Sequence, residues 1–241
     1  LEVSNLNGPV DVSTWTNSDY SVEVKIKARG TSQQEAEKRL ADFQVSFTES
    51  LVQEQQRLVL AYSVPYPSQY TVTVLAFLPQ AGDSELRLES SNGRISLKSV
   101  KGRSIWLRTS NGGLEFDEVY ADTLTGLTSN GPISGRLEAS EVSLTTSNAK
   151  IGLVLPCTIS GKYVARTSNG PIEIKVSSSA NVGYDLDLST SNGGVEIDLP
   201  NLEYTLNQRT TKKARTAGYE TRSIRIALYG STSNGNIDVK R

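Results

Sequence analysis

Apolar residues two positions apart recur along most of this chain, in pairs that flank a short polar tetrad. Ahead of successive tetrads stand Leu86 and Leu88, Ile105 and Leu107, Leu124 and Gly126, Val142 and Leu144, Tyr163 and Ala165, Leu186 and Leu188, and Leu228 and Gly230. Behind them stand Ile95 and Leu97, Leu114 and Phe116, Ile133 and Gly135, Ile151 and Leu153, Ile172 and Ile174, Val195 and Ile197, and Ile237 and Val239. Apart from Gly126, Gly135 and Gly230, every one of these positions is apolar. Alternation with a period of two marks a strand with one buried face. The residues between, such as Arg87, Ser96, Glu115, Glu173, Glu196 and Asp238, are expected to face water.

The tetrad is Ser/Thr-Ser-Asn-Gly or a close relative, and it places asparagines at Asn92, Asn111, Asn130, Asn148, Asn169, Asn192 and Asn234. They recur about every 20 residues, with a doubled last gap that implies one degenerate corner or an insertion. A unit this short cannot close its own core, so it must stack on its neighbours, each strand pairing in parallel with its equivalent one coil away. The expected fold is therefore all-β: a right-handed parallel β-solenoid with repeats of about 20 residues. The asparagines should form one column, their amides hydrogen-bonding up it as a ladder. The Asn-Gly pair also suggests a left-handed backbone at the corner, with Asn148 taking it where Ala149 replaces glycine.

The first residues fit the same template, with Leu1, Val3, Val10 and Val12 arranged around Asn7. The start at Leu1 is consistent with removal of a signal peptide or with trimming. Residues 13–85 break the repeat. Ser21 to Ala28 alternates as a strand, and Thr31 to Phe43 suggests a helix capped by Thr31 or Ser32, with Ala36, Leu40 and Phe43 as its apolar stripe. Strands follow near Gln44–Thr48, Arg57–Ser63 and Tyr70–Leu78, with Pro65 and Pro67 turning into the last. The chain thus divides into an N-terminal β-rich block carrying one short helix, residues 1–85, and solenoid coils over residues 86–241. The helix is expected to lie over one end of the solenoid. Within the coils an irregular insertion is expected near residues 201–222, carrying Arg209, Lys212, Lys213, Arg215 and Arg222. A solvated loop or an anion-binding or polysaccharide-binding contact both suit it.

Composition narrows the chemistry. The chain has 25 Lys and Arg against 26 Asp and Glu, no His, no Met and the single Cys157. Balanced charge gives no reason to expect a nucleic-acid partner, and no stretch approaches the ~20 apolar residues of a membrane span. Without histidine, most metal sites and any Cys–His pair are excluded, and no cofactor is expected. Cys157 sits in the apolar run Ile151 to Ile159 and suits packing. Glu115, Asp117 and Glu118, and Glu196 with Asp198, could serve a polysaccharide-cleaving β-helix, yet they alternate with apolar residues as any solvated strand face would. Trp106 lies between inward Ile105 and Leu107, so it faces out as a candidate sugar contact, and Trp15 is a second aromatic able to stack on a sugar.

The corners flanked by paired aliphatics, together with the strand Val74 to Pro79 leading toward the first tetrad, resemble the putative-adhesin family of repetitive β-strand proteins, whose biochemical function is not known. The resemblance implies a single-stranded β-helix displayed at a cell surface or exported, and it supplies no catalytic residues. The leading expectation is a non-enzymatic extracellular structural or adhesin-like protein that self-associates head to tail into a filament or matrix. Its contacts would be Leu1, Val3, Val10 and Val12 of one subunit against the open coil at Ile237 and Val239 of the next. A carbohydrate-binding or carbohydrate-active β-helix, and an intracellular scaffold of the bactofilin type, are the alternatives.

Overall fold

The computed structural model describes residues 1–52, 55–64, 66–80, 84–177 and 179–241; Pro65, assigned above to a turn, lies outside them. In chain order the first elements are β1 (Glu2–Asn5), β2 (Val10–Trp15), β3 (Ser21–Ala28), helix α1 (Gln33–Ala41), β4 (Gln44–Val52), β5 (Gln55–Ser63) and β6 (Tyr70–Pro79). Then come β7 (Ser84–Ser90), β8 (Ile95–Lys98), β9 (Lys101–Thr109), β10 (Leu114–Leu127), β11 (Ile133–Thr145), β12 (Ile151–Leu155), β13 (Gly161–Arg166) and β14 (Ile172–Val176). The last are β15 (Val182–Thr190), β16 (Val195–Asp198), β17 (Leu202–Asn207), β18 (Thr211–Thr216), β19 (Ile224–Thr232) and β20 (Ile237–Lys240).

Strands ahead of each asparagine corner build one face, and strands behind it build the other. The first face runs β4–β5–β1–β7–β9–β10–β11–β13–β19–β15–β18–β17. The second runs β3–β6–β2–β8–β10–β11–β12–β14–β20–β16, using the leading halves of the long strands β10 and β11. Pairing is parallel throughout the stack and antiparallel only at its ends. The inward residues of both faces form one continuous core from Val3 to Val239. Ile95, Leu114, Ile133, Ile151, Ile172, Ile237 and Val195 run through it as one buried aliphatic ladder. The architecture is all-β and solenoid-like, with one helix.

The tetrad has a division of labour. Its threonine is buried and donates its hydroxyl to the glycine-position carbonyl of the adjoining coil: Thr109 to Gly93 at 2.9 Å, Thr128 to Gly112 at 2.9 Å, Thr146 to Gly131 at 3.1 Å and Thr167 to Ala149 at 3.0 Å. The next two backbone N–H groups share one serine carbonyl below, as Ser129 and Asn130 do with Ser110. The glycine is required by proximity. A Cβ on Gly131 would lie 1.8 Å from the Gly112 carbonyl oxygen, and one on Gly112 would lie 1.9 Å from that of Gly93. The expected left-handed corner is not what these coils use. Among the described residues only Gly8 of the corner glycines has positive φ, and neither Asn148 nor Ala149 does. Left-handed backbone occurs instead at the opposite corner, at Ser99, Glu118 and Cys157.

Three further expectations are corrected. The coils do not stack in chain order, because β20 lies between β14 and β16. The doubled gap before Asn234 is an excursion through β16, β17 and β18, after which the chain returns to fill the layer it had skipped. The 201–222 segment is accordingly no irregular insertion. It forms the antiparallel hairpin β17–β18 and a 3-10 turn at Tyr219–Thr221, and β18 extends the sheet beyond β15. Finally, α1 is shorter than expected and covers no solenoid end. Ser32 caps it by accepting the Glu35 N–H, but none of its residues is buried and Leu40 is 42% exposed. Polar contacts hold it beside β3: Arg39 bonds the Arg29 carbonyl and Glu35, and the Tyr70 hydroxyl donates to the Arg39 carbonyl at 3.0 Å. Phe43, just past the helix, stacks on Tyr62 with centroids 5.3 Å apart.

Candidate functional site

The asparagine side chains form one exposed column whose order follows the stack. Asn92 donates to Asn7 at 2.5 Å, Asn111 to Asn92 at 2.6 Å, and Asn130, Asn148 and Asn169 each to the one before at 2.8 Å. Asn234 then donates to Asn169, and Asn192 to Asn234, both at 2.8 Å. Each amide N–H points the same way, and Asn7 ends the chain of bonds on the Pro67 carbonyl at 2.8 Å. The column is a structural spine in which each amide donates to its neighbour and each oxygen but that of Asn192, at its end, accepts.

The residues expected to mediate head-to-tail assembly lie inside the stack. Val3, Val10, Val12, Ile237 and Val239 are each at most 1% exposed. Strand β1 is flanked by β5 and β7, β2 by β6 and β8, and β20 by β14 and β16. Leu1 is half-buried, and its ammonium group donates to the Glu85 carbonyl at 2.8 Å. No open edge remains at any of these six residues. The cause is topological: β20 is covered by β16, and β1 and β2 each have two strands outside them, β5 with β4 and β6 with β3.

The basic residues of the hairpin separate into two pairs. Lys213 bonds Asp187 at 2.9 Å and Arg215 bonds Asp185 at 2.7 Å, which fastens β18 to β15. Each hydrogen-bonded carboxylate raises the pKa of its cationic partner above the ordinary value. Arg209 and Lys212 make no ion pair among the described residues. They line an open cleft of about 460 Å³ together with Gly194, Val195, Glu196, Asn207, Gln208 and Asn236. Two backbone bonds fix its walls: Val195 N–H to the Arg209 carbonyl at 2.9 Å and Thr190 N–H to the Thr210 carbonyl at 2.8 Å. Asn236 accepts the Gly194 N–H at 3.0 Å, while the side-chain amides of Asn207 and Gln208 have no hydrogen-bond partner among the described residues. Asn207, Gln208 and Asn236 were not singled out in the sequence. The Asn-Gln-Arg run between the strands Leu202–Asn207 and Thr211–Thr216 was the available signal.

Trp106 stands apart from this cleft on the first face, half-buried, with the Arg87 guanidinium 4.0 Å from its ring. Trp15 stacks on Phe77 at 5.3 Å. Of the acidic pairs, Glu115 and Asp117 stand beside neighbouring cations, 3.7 Å from Arg94 and 3.5 Å from Lys98, while Glu196 and Asp198 make no ion pair among the described residues. Glu173, Asp238 and Glu196 sit side by side on β14, β20 and β16; burial, then the facing carboxylates, push the Asp238 carboxyl up. Cys157 is 4% exposed, and burial raises its thiol pKa to about 11. Among the described residues no group of three or more His, Cys, Asp or Glu could hold a metal ion, and no helix is long and apolar enough to cross a membrane.

Two solved structures are similar over most of their length. One is a putative cell adhesion protein from Clostridium sporogenes ATCC 15579, 10% identical, covering 99% of this chain and 91% of that one, with a TM-score of 0.43. The other is a putative adhesin from Bacteroides fragilis NCTC 9343, 12% identical, covering 99% and 93%, with a TM-score of 0.39. None of the curated proteins matches the chain. The family described as Toastrack DUF4097 matches residues 1–240, and the chain therefore belongs to that family.

Proposed function

We propose that the protein is a non-enzymatic structural or adhesive module that works at a cell surface or outside the cell, and that its hairpin cleft contacts an acidic polysaccharide. The observation that carries this reading is the convergence of Arg209, Lys212, Asn207 and Gln208 beside the single carboxylate of Glu196; their side chains make no ion pair or hydrogen bond among the described residues, and Lys212 lies 6.0 Å from the Tyr204 ring. Cations recognise carboxylate or sulfate groups, and side-chain amides and a carboxylate suit sugar hydroxyls as donors and acceptors. An open cleft admits a chain that passes through it, as a polymer requires. A non-catalytic role is supported by the absence of histidine, the buried thiol of Cys157 and the pairing of Glu115 and Asp117 with cations on an outward strand face.

The test is titration of an acidic glycan polymer, such as polygalacturonate, and of a neutral one, such as dextran, into the full chain. Binding should be confined to the acidic polymer, weaken as salt rises, and fall at least ~10-fold in Arg209→Ala/Lys212→Ala, a loss of about 1.4 kcal/mol. Equal binding of the neutral polymer, or full binding by the double variant, would overturn the assignment.

A further inference from the structure

The two faces of the stack end in four strands that each have a single neighbour among the described residues: β4 and β17 on the first face, β3 and β16 on the second. Such edges expose a row of unpaired N–H and C=O groups, and proteins ordinarily blunt them with charge, brevity or a bulge. Three of the four are blunted. Strand β3 carries Glu23, Lys25 and Lys27, β16 has four residues of which Glu196 and Asp198 are acidic, and β17 breaks register between Tyr204 and Leu206.

Strand β4 has none of these protections. Its nine residues pair with β5 in unbroken register from Gln44–Ser63 to Val52–Gln55. It contains no Lys, Arg or Pro, and Glu49 is its one charge. Residues 44–50 are exposed on both sides of the strand, including Val45 at 41% and Phe47 at 46%. We propose that this edge is where two copies of the chain join, β4 against β4, antiparallel about a two-fold axis at Phe47.

Charge selects the occupant. A nearly neutral strand offers nothing to attract a charged partner, but it complements itself. With Phe47 opposite its own copy, Val45 faces Glu49 of the other strand, and the two Glu49 carboxylates stand about 14 Å apart along the strands. Facing Phe47 rings add the aromatic cross-strand contact that stabilises such pairs. The arrangement is isologous and closes at two copies, where head-to-tail stacking would propagate. A seam one strand long, ~30 Å, is small for a specific interface, so the dimer should be weak, with a dissociation constant of micromolar order or above.

Sedimentation velocity of the full chain from ~10 μM to ~1 mM should show a monomer–dimer equilibrium. Phe47→Lys should weaken it at least ~10-fold while leaving the circular-dichroism melt and polygalacturonate binding unchanged, because Phe47 is exposed in the monomer. Under mild oxidation Phe47→Cys should yield a covalent dimer, whereas Glu23→Cys on β3 and Glu203→Cys on β17 should not; Cys157 is buried and does not compete. A strictly monomeric protein at the highest concentration, dimerisation undiminished by Phe47→Lys, or faster cross-linking through Glu203→Cys would each overturn the proposal.

Discussion

Replacing Thr128 by valine removes one hydroxyl from the corner while keeping its shape. In the folded chain that hydroxyl donates to the Gly112 carbonyl at 2.9 Å and accepts the Gly131 N–H at 3.2 Å, and Thr128 is 6% exposed. Valine fills the same volume, so no cavity term arises. What remains is a buried carbonyl and a buried N–H without partners, each costing about 1–3 kcal/mol. The expected destabilisation is roughly 2–6 kcal/mol, or a fall in melting temperature of roughly 4–24 °C for a chain of this length. Urea titration followed by far-ultraviolet circular dichroism measures it. Thr128→Ser keeps both hydrogen bonds and should cost about 1 kcal/mol or less, and Ser129→Ala, at an exposed position, should stay within about 0.5 kcal/mol. A cost below about 0.5 kcal/mol for Thr128→Val, or serine as damaging as valine, would refute the assignment of corner stability to the threonine hydroxyls.

Two other substitutions probe the core and the charge on its surface. Ile151, fully buried in the aliphatic ladder, should not tolerate aspartate: an unpaired buried charge costs several kcal/mol, and a soluble, cooperatively melting Ile151→Asp protein would contradict the ladder. The Asp238 carboxyl, held above its usual pKa by burial and then by Glu196 and Glu173, binds its proton more tightly folded than unfolded. Its charge therefore costs stability above the folded pKa, and the cost is relieved as pH falls through that value. Asp238→Asn should raise the melting temperature at pH 7 and lose the advantage near pH 3–4; a gain that grew on acidification would reverse the sign.

The coil itself was legible because its two signals are local. Apolar alternation on both sides of each tetrad specifies which side chains turn inward, and Ile95, Leu114 and Ile133 are indeed fully buried. The helix cap was legible as Thr31 or Ser32 for the same reason, and Ser32 is the one that caps. Coil order was not. Every corner carries nearly the same four residues, so nothing in the tetrads distinguishes Asn192 from Asn234 as the neighbour of Asn169; the choice is made where β18 covers β15. The hairpin escaped although Leu202, Tyr204 and Leu206 alternate with polar residues, because its second strand, Thr211–Thr216, has Ala214 as its one apolar residue and no tetrad stands between the two. The role of glycine was misassigned because Asn-Gly suggests a turn with positive φ, whereas the close approach of two coils leaves no trace in one coil's sequence. Ala149 belongs to the coil one residue shorter than those before it, and nothing in the structure explains how that corner houses a Cβ. The cleft was half legible: its cations stood out, but their separation from Lys213 and Arg215 depends on ion pairs to β15.

The position of the cleft, the burial of Ile237 and Val239 and the identity of β16 as an open edge all depend on one claim, that the last coil lies between the coils of Asn169 and Asn192. Glu173 faces Asp238, and Asp238 faces Glu196. Adjacent parallel strands are about 4.8 Å apart, within the 4.4–6.8 Å Cα separation that a disulfide spans, whereas Glu173 and Glu196 stand two spacings apart. Thiol counting after oxidation of two double variants decides the matter. The cysteine pair at 173 and 238 should close, leaving one free thiol at Cys157, while the pair at 173 and 196 should stay reduced. Closure of the second pair and not the first would put the coils in chain order and contradict the account.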